Sequence, residues 1–274
     1  MGKVAYLILA HKNPDICNLL IEELLTDTRS EVYLHIDVKF KNPELFRNDV
    51  HKVRRYDINW GSAAMVYATL ELIREAYLNN YDRYVLLSGD TFPLKNVQEI
   101  NDYLLRESSV DYMELYEGNL GERGFDRVFR YWVFKNHLNR LCWWINKKAI
   151  LLQKKLKLVR KYPYEIHEYK IGSQWWALSH KSVCELIEKC DNPKFKKFIL
   201  HSKIPDEFFA QNAVTNSELR PELMYYSFSY SPEGTYFVVK ELTALDFDDC
   251  KQSKKMFARK VTLSFIEKAK MSWR

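Results

Sequence analysis

The chain has 274 residues, 47% of them hydrophobic, with eight glycines and eight prolines spread along it. That supplies one full core and excludes disordered, collagen-like and repeat architectures. Five cysteines without a CxxC pair fit neither a disulfide framework nor a zinc site, so reduced thiols in a cytoplasm are expected.

The opening run VAYLILA, residues 4–10, is short, continuous and apolar, and predicts a buried strand. It is too short for a signal peptide or a spanning helix, so the chain is expected to stay on the cytoplasmic side. In NPDICNLLIEELLTD, Ile16, Leu19, Leu20, Leu24 and Leu25 recur at helical spacing behind Pro14. SEVYLHID ends a second buried strand at Asp37, and a third short strand is predicted near KVRRYDI. GSAAMVYATLELIREAYLNN reads as a helix capped by Ser62, and RYVLLSGD as a fourth strand ending in a glycine turn. This alternation predicts an α/β fold in one domain, a Rossmann-like, mostly parallel central sheet flanked by helices.

Open sheets of this kind bind ligands beyond the carboxyl ends of their strands. Those ends carry His11, Lys12 and Asn13, then His35 and Asp37, then Ser88, Gly89, Asp90 and Thr91. Turn chemistry accounts for any one of them. Their grouping predicts a polar ligand pocket.

Further on, VQEINDYLLRES predicts a helix, VDYMELYE a strand, and GSQWWALSHKSVCELIEKC a strand feeding a helix. From Arg127 to Tyr164 there are eleven Lys or Arg and no Asp or Glu; this segment carries +11, which leaves −5 for the remainder of the +6 total. Within residues 140–164 tryptophans and aliphatics alternate with lysines. That pattern suits a helix lying on an anionic membrane, or equally a helix with its apolar side in the core and solvated lysines outside. No nucleic-acid module accompanies the basic segment, and nucleic acid is not expected as a partner. In IPDEFFAQN, Pro205 suits a helical first turn and Asp206 and Glu207 its positive end, unless one of the acids is a general base.

The blocks LAHKNP, HIDVK, NWGSAAMVYATLELI, LLSGDTFPLK, GSQWWALS, IPDEFFAQ and MFARK, in that order from about residue 4 to 261, resemble the core-2/I-branching glycosyltransferase family. The resemblance implies a GT-A fold, with residues 1–100 as a nucleotide-sugar-binding half and residues 101–274 as the acceptor-binding and catalytic half. It implies inverting transfer of a sugar, N-acetylglucosamine first among the choices, from a UDP-sugar to a hydroxyl of a glycan acceptor. The expected setting is cell-surface polysaccharide or lipopolysaccharide assembly, with no cofactor and no metal ion. A lipid-linked acceptor and contact of residues 140–164 with the inner face of the cytoplasmic membrane fit that setting.

Carried over residue by residue, the base falls on Glu207, with Phe208 and Phe209 beside it to exclude water. Arg259 and Lys260 match the family's basic motif and would meet the diphosphate. A second basic contact falls near Phe237, where Lys240 is the nearest substitute. His11, His35, Asp37 and Asp90 would line the donor; Gln174, Trp175 and Trp176 would serve the substrate, one tryptophan lining the acceptor site and the other packing in the core. Many relatives have an acid where this chain has Thr91, and Asp90 stands one position earlier. The only Asp-x-Asp, Asp246-Phe247-Asp248, reads as the opening of the last helix rather than a metal site. Two alternatives stay open: a metal-dependent transferase using Asp90, and a nucleotide-sugar-binding protein without turnover.

Overall fold

In the computed structural model, the described residues are 2–116, 121–134, 139–165, 169–214, 218–225, 228–230 and 237–273. The chain begins with β1 (Val4–Ala10), α1 (Pro14–Leu24), β2 (Ser30–Ile36), the two-residue β3 (His51–Lys52), α2 (Ala63–Tyr77) and β4 (Arg83–Ser88). All seven residues of β1 and all six of β4 are buried, which is why both read as unbroken apolar runs rather than as alternation. Helix α1 turns Ile16, Cys17, Leu20, Ile21 and Leu24 inward as one stripe.

After β5 (Thr91–Pro93) and α3 (Val97–Arg106) come β6 (Val110–Leu115), α4 (Gly121–Phe129), α5 (Arg140–Lys155) and β7 (Gly172–Ser179). Then follow α6 (His180–Asp191), α7 (Pro193–Leu200), α8 (Phe209–Ala213), β8 (Glu218–Arg220), β9 (Met224–Tyr225), β10 (Phe228–Tyr230), β11 (Phe237–Val239), α9 (Phe247–Gln252), β12 (Phe257–Arg259) and α10 (Leu263–Ser272). Seven strands make the main sheet in the order β3-β2-β1-β4-β7-β6-β8. The first four are parallel, and β7 runs antiparallel between β4 and β6.

That reversal matters for the site. Because Leu86 pairs with Trp176 in antiparallel register, the start of β7 comes to the edge where β1, β2 and β4 end. Gly172 opens β7, and a Cβ there would lie 2.1 Å from the Glu114 carbonyl, so only glycine admits this approach of β6. At the opposite edge the buried Arg83 donates to the carbonyls of Leu104, Val110 and Glu107, and lies 3.4 Å from Asp111. Asp111 in turn accepts from the Ser179 amide, which locks β4, β6 and β7 together far from the ligand edge.

A small sheet, β5-β12-β9, brings the late strand β12 back against the segment that follows β4, with Arg259 opposite Thr91. Phe92, Phe247, Ala258 and Phe265 form a second core beneath it. Both sheets join strands from before and after residue 100.

The third strand falls near KVRRYDI as expected but is only two residues long, His51 and Lys52. Two local expectations are corrected. Ser62 occupies the N-cap of α2, yet its hydroxyl makes no capping bond. Asp246 and Asp248 do not open the last helix: Asp246 closes a capping box with Thr243 ahead of α9, and α10 follows later. No helix of the described residues is long and apolar enough to cross a membrane, and all five cysteines are free.

Candidate active site

The candidate edge is built by three strand ends. Asp90, 4% exposed, follows β4; its Oδ1 accepts from the Ser88 hydroxyl, and its Oδ2 has no hydrogen-bond partner. Arg259 on β12 places Nε 3.6 Å from Asp90 Oδ1 and lays its guanidinium over the Trp175 ring, 5.0 Å from the centroid. Arg259 is thus held between an acid and an aromatic face.

Lys260, the next residue, is half-buried and has no carboxylate within ion-pair distance among the described residues. Burial lowers its pKa, Arg259 adds to that, and Asp90 opposes it. Its ammonium lies beside the ends of β4 and β12, next to His11, Asp90 and Arg259. His11 is exposed by area, yet crowding by protein atoms lowers its pKa; Asp90 opposes this, and Lys12 and Lys260 reinforce it. His11, Asp90, Arg259 and Lys260 therefore share one electrostatic neighbourhood.

His35 and Asp37 lie one strand over. His35 is fully buried, accepts from the Tyr56 amide at Nε2, and leaves Nδ1 without a partner; burial pushes its pKa down to about 4, so the ring is neutral. Asp37 Oδ1 accepts from the Lys39 amide in a tight turn, while Arg55 donates to the carbonyls of Ile36 and Asp37. This neutral imidazole has no exposed surface, so the expected direct contact of His35 with a ligand is corrected: the ring supports the turn beneath Asp37 through its bond to Tyr56.

The segment IPDEFFAQN reaches the same edge from the other side. Pro205–Glu207 is one turn of 3-10 helix leading into α8. Ile204, just ahead, has φ 52, a left-handed conformation that costs a β-branched residue about 1–2 kcal/mol. It is held there by its amide, which donates 2.8 Å to the Gly61 carbonyl at the start of α2. Beyond the turn, Gln211 donates to the Ser173 carbonyl at 2.6 Å, and Asn212 exchanges two bonds with the Lys170 backbone. These bonds fasten the acidic turn to the entry of β7, whose residue Trp175 carries Arg259.

The two acids have opposite environments. Asp206 is buried; burial, then the neighbouring Glu207 charge, pushes its carboxyl up to about 7. Glu207 is partly exposed and pairs through Oε2 with Arg127 Nη2 at 2.7 Å. Arg127, on α4, also lies 3.4 Å from the Ile204 carbonyl. Sequence reasoning counted Arg127 only as the first member of the basic segment, since no motif marks an arginine eighty positions from its partner.

Other expected residues fall differently. Trp176 is fully buried and is the core tryptophan, so it is no substrate contact; Trp175 is 7% exposed, beneath Arg259. Gln174 is half-buried beside it, with an unpartnered Nε2. Phe208 and Phe209 have no exposed surface and belong to the core, Phe208 against Tyr169 and Phe198, so neither shields the base from water directly. Lys240 pairs with Asp246, and the Phe237 side chain lies outside the described residues. Among the described residues no three His, Cys, Asp or Glu gather as a metal site.

The acidic turn and the basic end of β12 both meet the entry of β7, the one through Gln211 and Ser173, the other through Arg259 and Trp175. Residues 4–269 match the family model described as Core-2/I-Branching enzyme, and the chain belongs to that family of glycosyltransferases. A search of curated proteins finds no match. Among solved structures, the chain is similar to a Bacillus anthracis protein described as a glucose-1-phosphate thymidylyltransferase, in complex with sucrose. The identity is 13% and the TM-score 0.34, over 70% of this chain and 76% of that one. It is also similar to S. aureus TarS 1–349, at 11% identity and TM-score 0.40, over 79% of this chain and 57% of that one.

Proposed function

We propose that this glycosyltransferase moves a sugar, with inversion, from a UDP-sugar to a hydroxyl of a glycan acceptor, with Glu207 as the base. The acceptor hydroxyl gives its proton to Glu207 as its oxygen bonds to the anomeric carbon. The bond from that carbon to the diphosphate breaks on the opposite face, and UDP departs with the electron pair. Lys260, aided by Arg259, meets the negative charge developing there. Asp37 would hold the nucleoside with His35 buried behind it, and Trp175 with Gln174 would face the sugar. The observation that carries this reading is the Arg127–Glu207 pair: a carboxylate kept partly open and in one orientation beside β7 is what a base needs.

N-acetylglucosamine as the transferred sugar, and a lipid-linked acceptor of surface polysaccharide or lipopolysaccharide assembly, complete the proposal. A second reading has one observation in its favour. Asp90 Oδ2 is buried and unpartnered, an oxygen that a divalent cation bridging to the diphosphate would use.

The test is UDP release across a panel of UDP-sugars, with and without EDTA, for the wild type and Glu207→Gln. The expected result is EDTA-resistant release, reduced by roughly 10²–10⁴-fold in the variant while donor binding persists. Full activity of Glu207→Gln would remove the base assignment. Loss in EDTA with rescue by manganese would move the leaving-group role from Lys260 to a metal at Asp90.

A further inference from the structure

Helix α5 is built the wrong way round for an ordinary surface helix. Its inward residues are Asn146, Ile150 and Gln153. Asn146 accepts from the amides of Val133 and Phe134 and donates to the Phe134 carbonyl; Gln153 makes the matching pair with the Tyr131 backbone. The helix is therefore held to residues 131–134 largely by hydrogen bonds. Its outward side carries Leu141, Trp144, Leu151 and Leu152, each between 54% and 65% exposed. With Lys148 and Lys155 these recur every three or four residues, so they share one face. Leu156, Leu158 and Val159 extend the apolar surface past the helix end.

The cations sort into two groups. Arg127, Arg130, Lys154 and Arg160 are committed to internal partners: Glu207, the Leu158 carbonyl, Asp126, and the carbonyls of Val128 and His201. Arg140, Lys147, Lys148, Lys155, Lys157 and Lys161 remain exposed, and no acid lies between residues 127 and 164 to balance them.

We infer that α5 is a docking surface for an anionic lipid bilayer. The helix lies in the headgroup layer, with Leu141, Trp144, Leu151 and Leu152 in the acyl boundary and the exposed lysines on lipid phosphates. Charge decides for a bilayer over a protein groove. Lys148 and Lys155 stand inside the apolar stripe, and a dry interface would have to desolvate or match both. At a headgroup layer their stems lie along the apolar surface while the ammonium groups reach phosphate. The ring contacts of Lys147 with Trp143 (5.3 Å) and of Lys148 with Trp144 (5.5 Å) pair cation and amphipathic ring as an interface favours.

The docking helix is also bolted to the site. Lys154 reaches Asp126 at 2.8 Å, and the next residue, Arg127, holds Glu207. A bilayer under α5 therefore lies on the flank that carries the base, where an acceptor held in that bilayer would arrive. This last step rests on the glycosyl-transfer reading; the bilayer contact does not.

The experiment is co-sedimentation of the full chain with vesicles of phosphatidylcholine alone and of phosphatidylcholine with phosphatidylglycerol. Three proteins are compared: wild type, Trp144→Glu/Leu151→Glu/Leu152→Glu, and Lys147→Glu/Lys148→Glu/Lys155→Glu. All substituted side chains are exposed, and thermal melts check that the variants fold. The wild type is expected to bind the anionic vesicles and not the neutral ones. Each triple variant should lose about tenfold or more of that partitioning, with UDP-sugar hydrolysis in the absence of vesicles unchanged. Wild type remaining in the supernatant with both vesicles overturns the inference, as does equal binding to both. So does a dimer in sedimentation equilibrium that the Trp144→Glu variant dissolves, since the face would then be covered by a second copy. Absence of donor hydrolysis in every protein would count against the glycosyl-transfer reading alone.

Discussion

Asp206 and Glu207 are adjacent, yet the fold gives them different chemistry. Asp206 is buried with a carboxyl pushed up to about 7, against about 4 in an unfolded chain. Between those values the folded protein keeps a proton that the unfolded chain has released, so this residue makes stability fall as pH rises from about 4 to about 7. His35, pushed by burial down to about 4, works in the opposite sense below its ordinary value, so only a variant compared with the wild type isolates Asp206. Asp206→Asn should melt increasingly above the wild type from about pH 5 to about pH 8, by on the order of 2–3 kcal/mol, and level off beyond. A melting difference that does not change with pH would show Asp206 to be ionised in the fold.

Arg127 is argued at the same scale. It touches Glu207 rather than any reacting atom, so it is a positioning residue. Arg127→Met should lower kcat by roughly 10–100-fold with little change in donor KM, and Arg127→Lys should recover part of the loss. A change confined to donor KM would assign Arg127 to binding instead. Glu207 could be proposed from the sequence because proline, aspartate and glutamate stand together in a recognisable block. Arg127 could not, because its role depends on where α4 lies in space.

At the scale of elements, β12 carries the cations to which the proposal gives the leaving group. Its ladder with β5 fixes Arg259 opposite Thr91, and Lys260 projects from the strand's end. Lys260→Ala should reduce kcat by roughly 10²-fold, more than it weakens donor binding, because the charge it meets grows toward the transition state. Arg259→Ala should also lower stability, since it uncovers Trp175 and leaves Asp90 without its cation. Equal kcat in Lys260→Ala and the wild type would sink the assignment. Strands β1 and β4 were legible because burial on both faces demands continuous apolar runs. The orientation of α5 was not: periodicity defines a face, but only the bonds of Asn146 and Gln153 to residues 131–134 say that the polar side turns inward. The Asp246-Phe247-Asp248 motif was legible as a helix opening, though of α9 and not of the last helix.

At the scale of the whole molecule, the seven-stranded order interleaves early and late sequence, with β7 between β4 and β6. Alternating strand and helix patterns predicted the parallel part, β3-β2-β1-β4. The insertion of an antiparallel β7 left no local trace, because strand direction is a matter of how connections run and not of composition. Yet that reversal brings Trp175 and the Gln211–Ser173 bond to the edge where the parallel strands end, and with them Arg259 and the acidic turn.

The return of β12 to β5 has a consequence for how the enzyme comes into being. Synthesis proceeds from the N-terminus, so β1, β2, β4 and β5 leave the ribosome long before residues 257–260. Until residues 257–260 have emerged, a growing chain has this edge half made, with Asp90 lacking the guanidinium that will lie beside it. A fragment stopped before β12 would thus be able to fold its first strands and still leave the edge without its basic side.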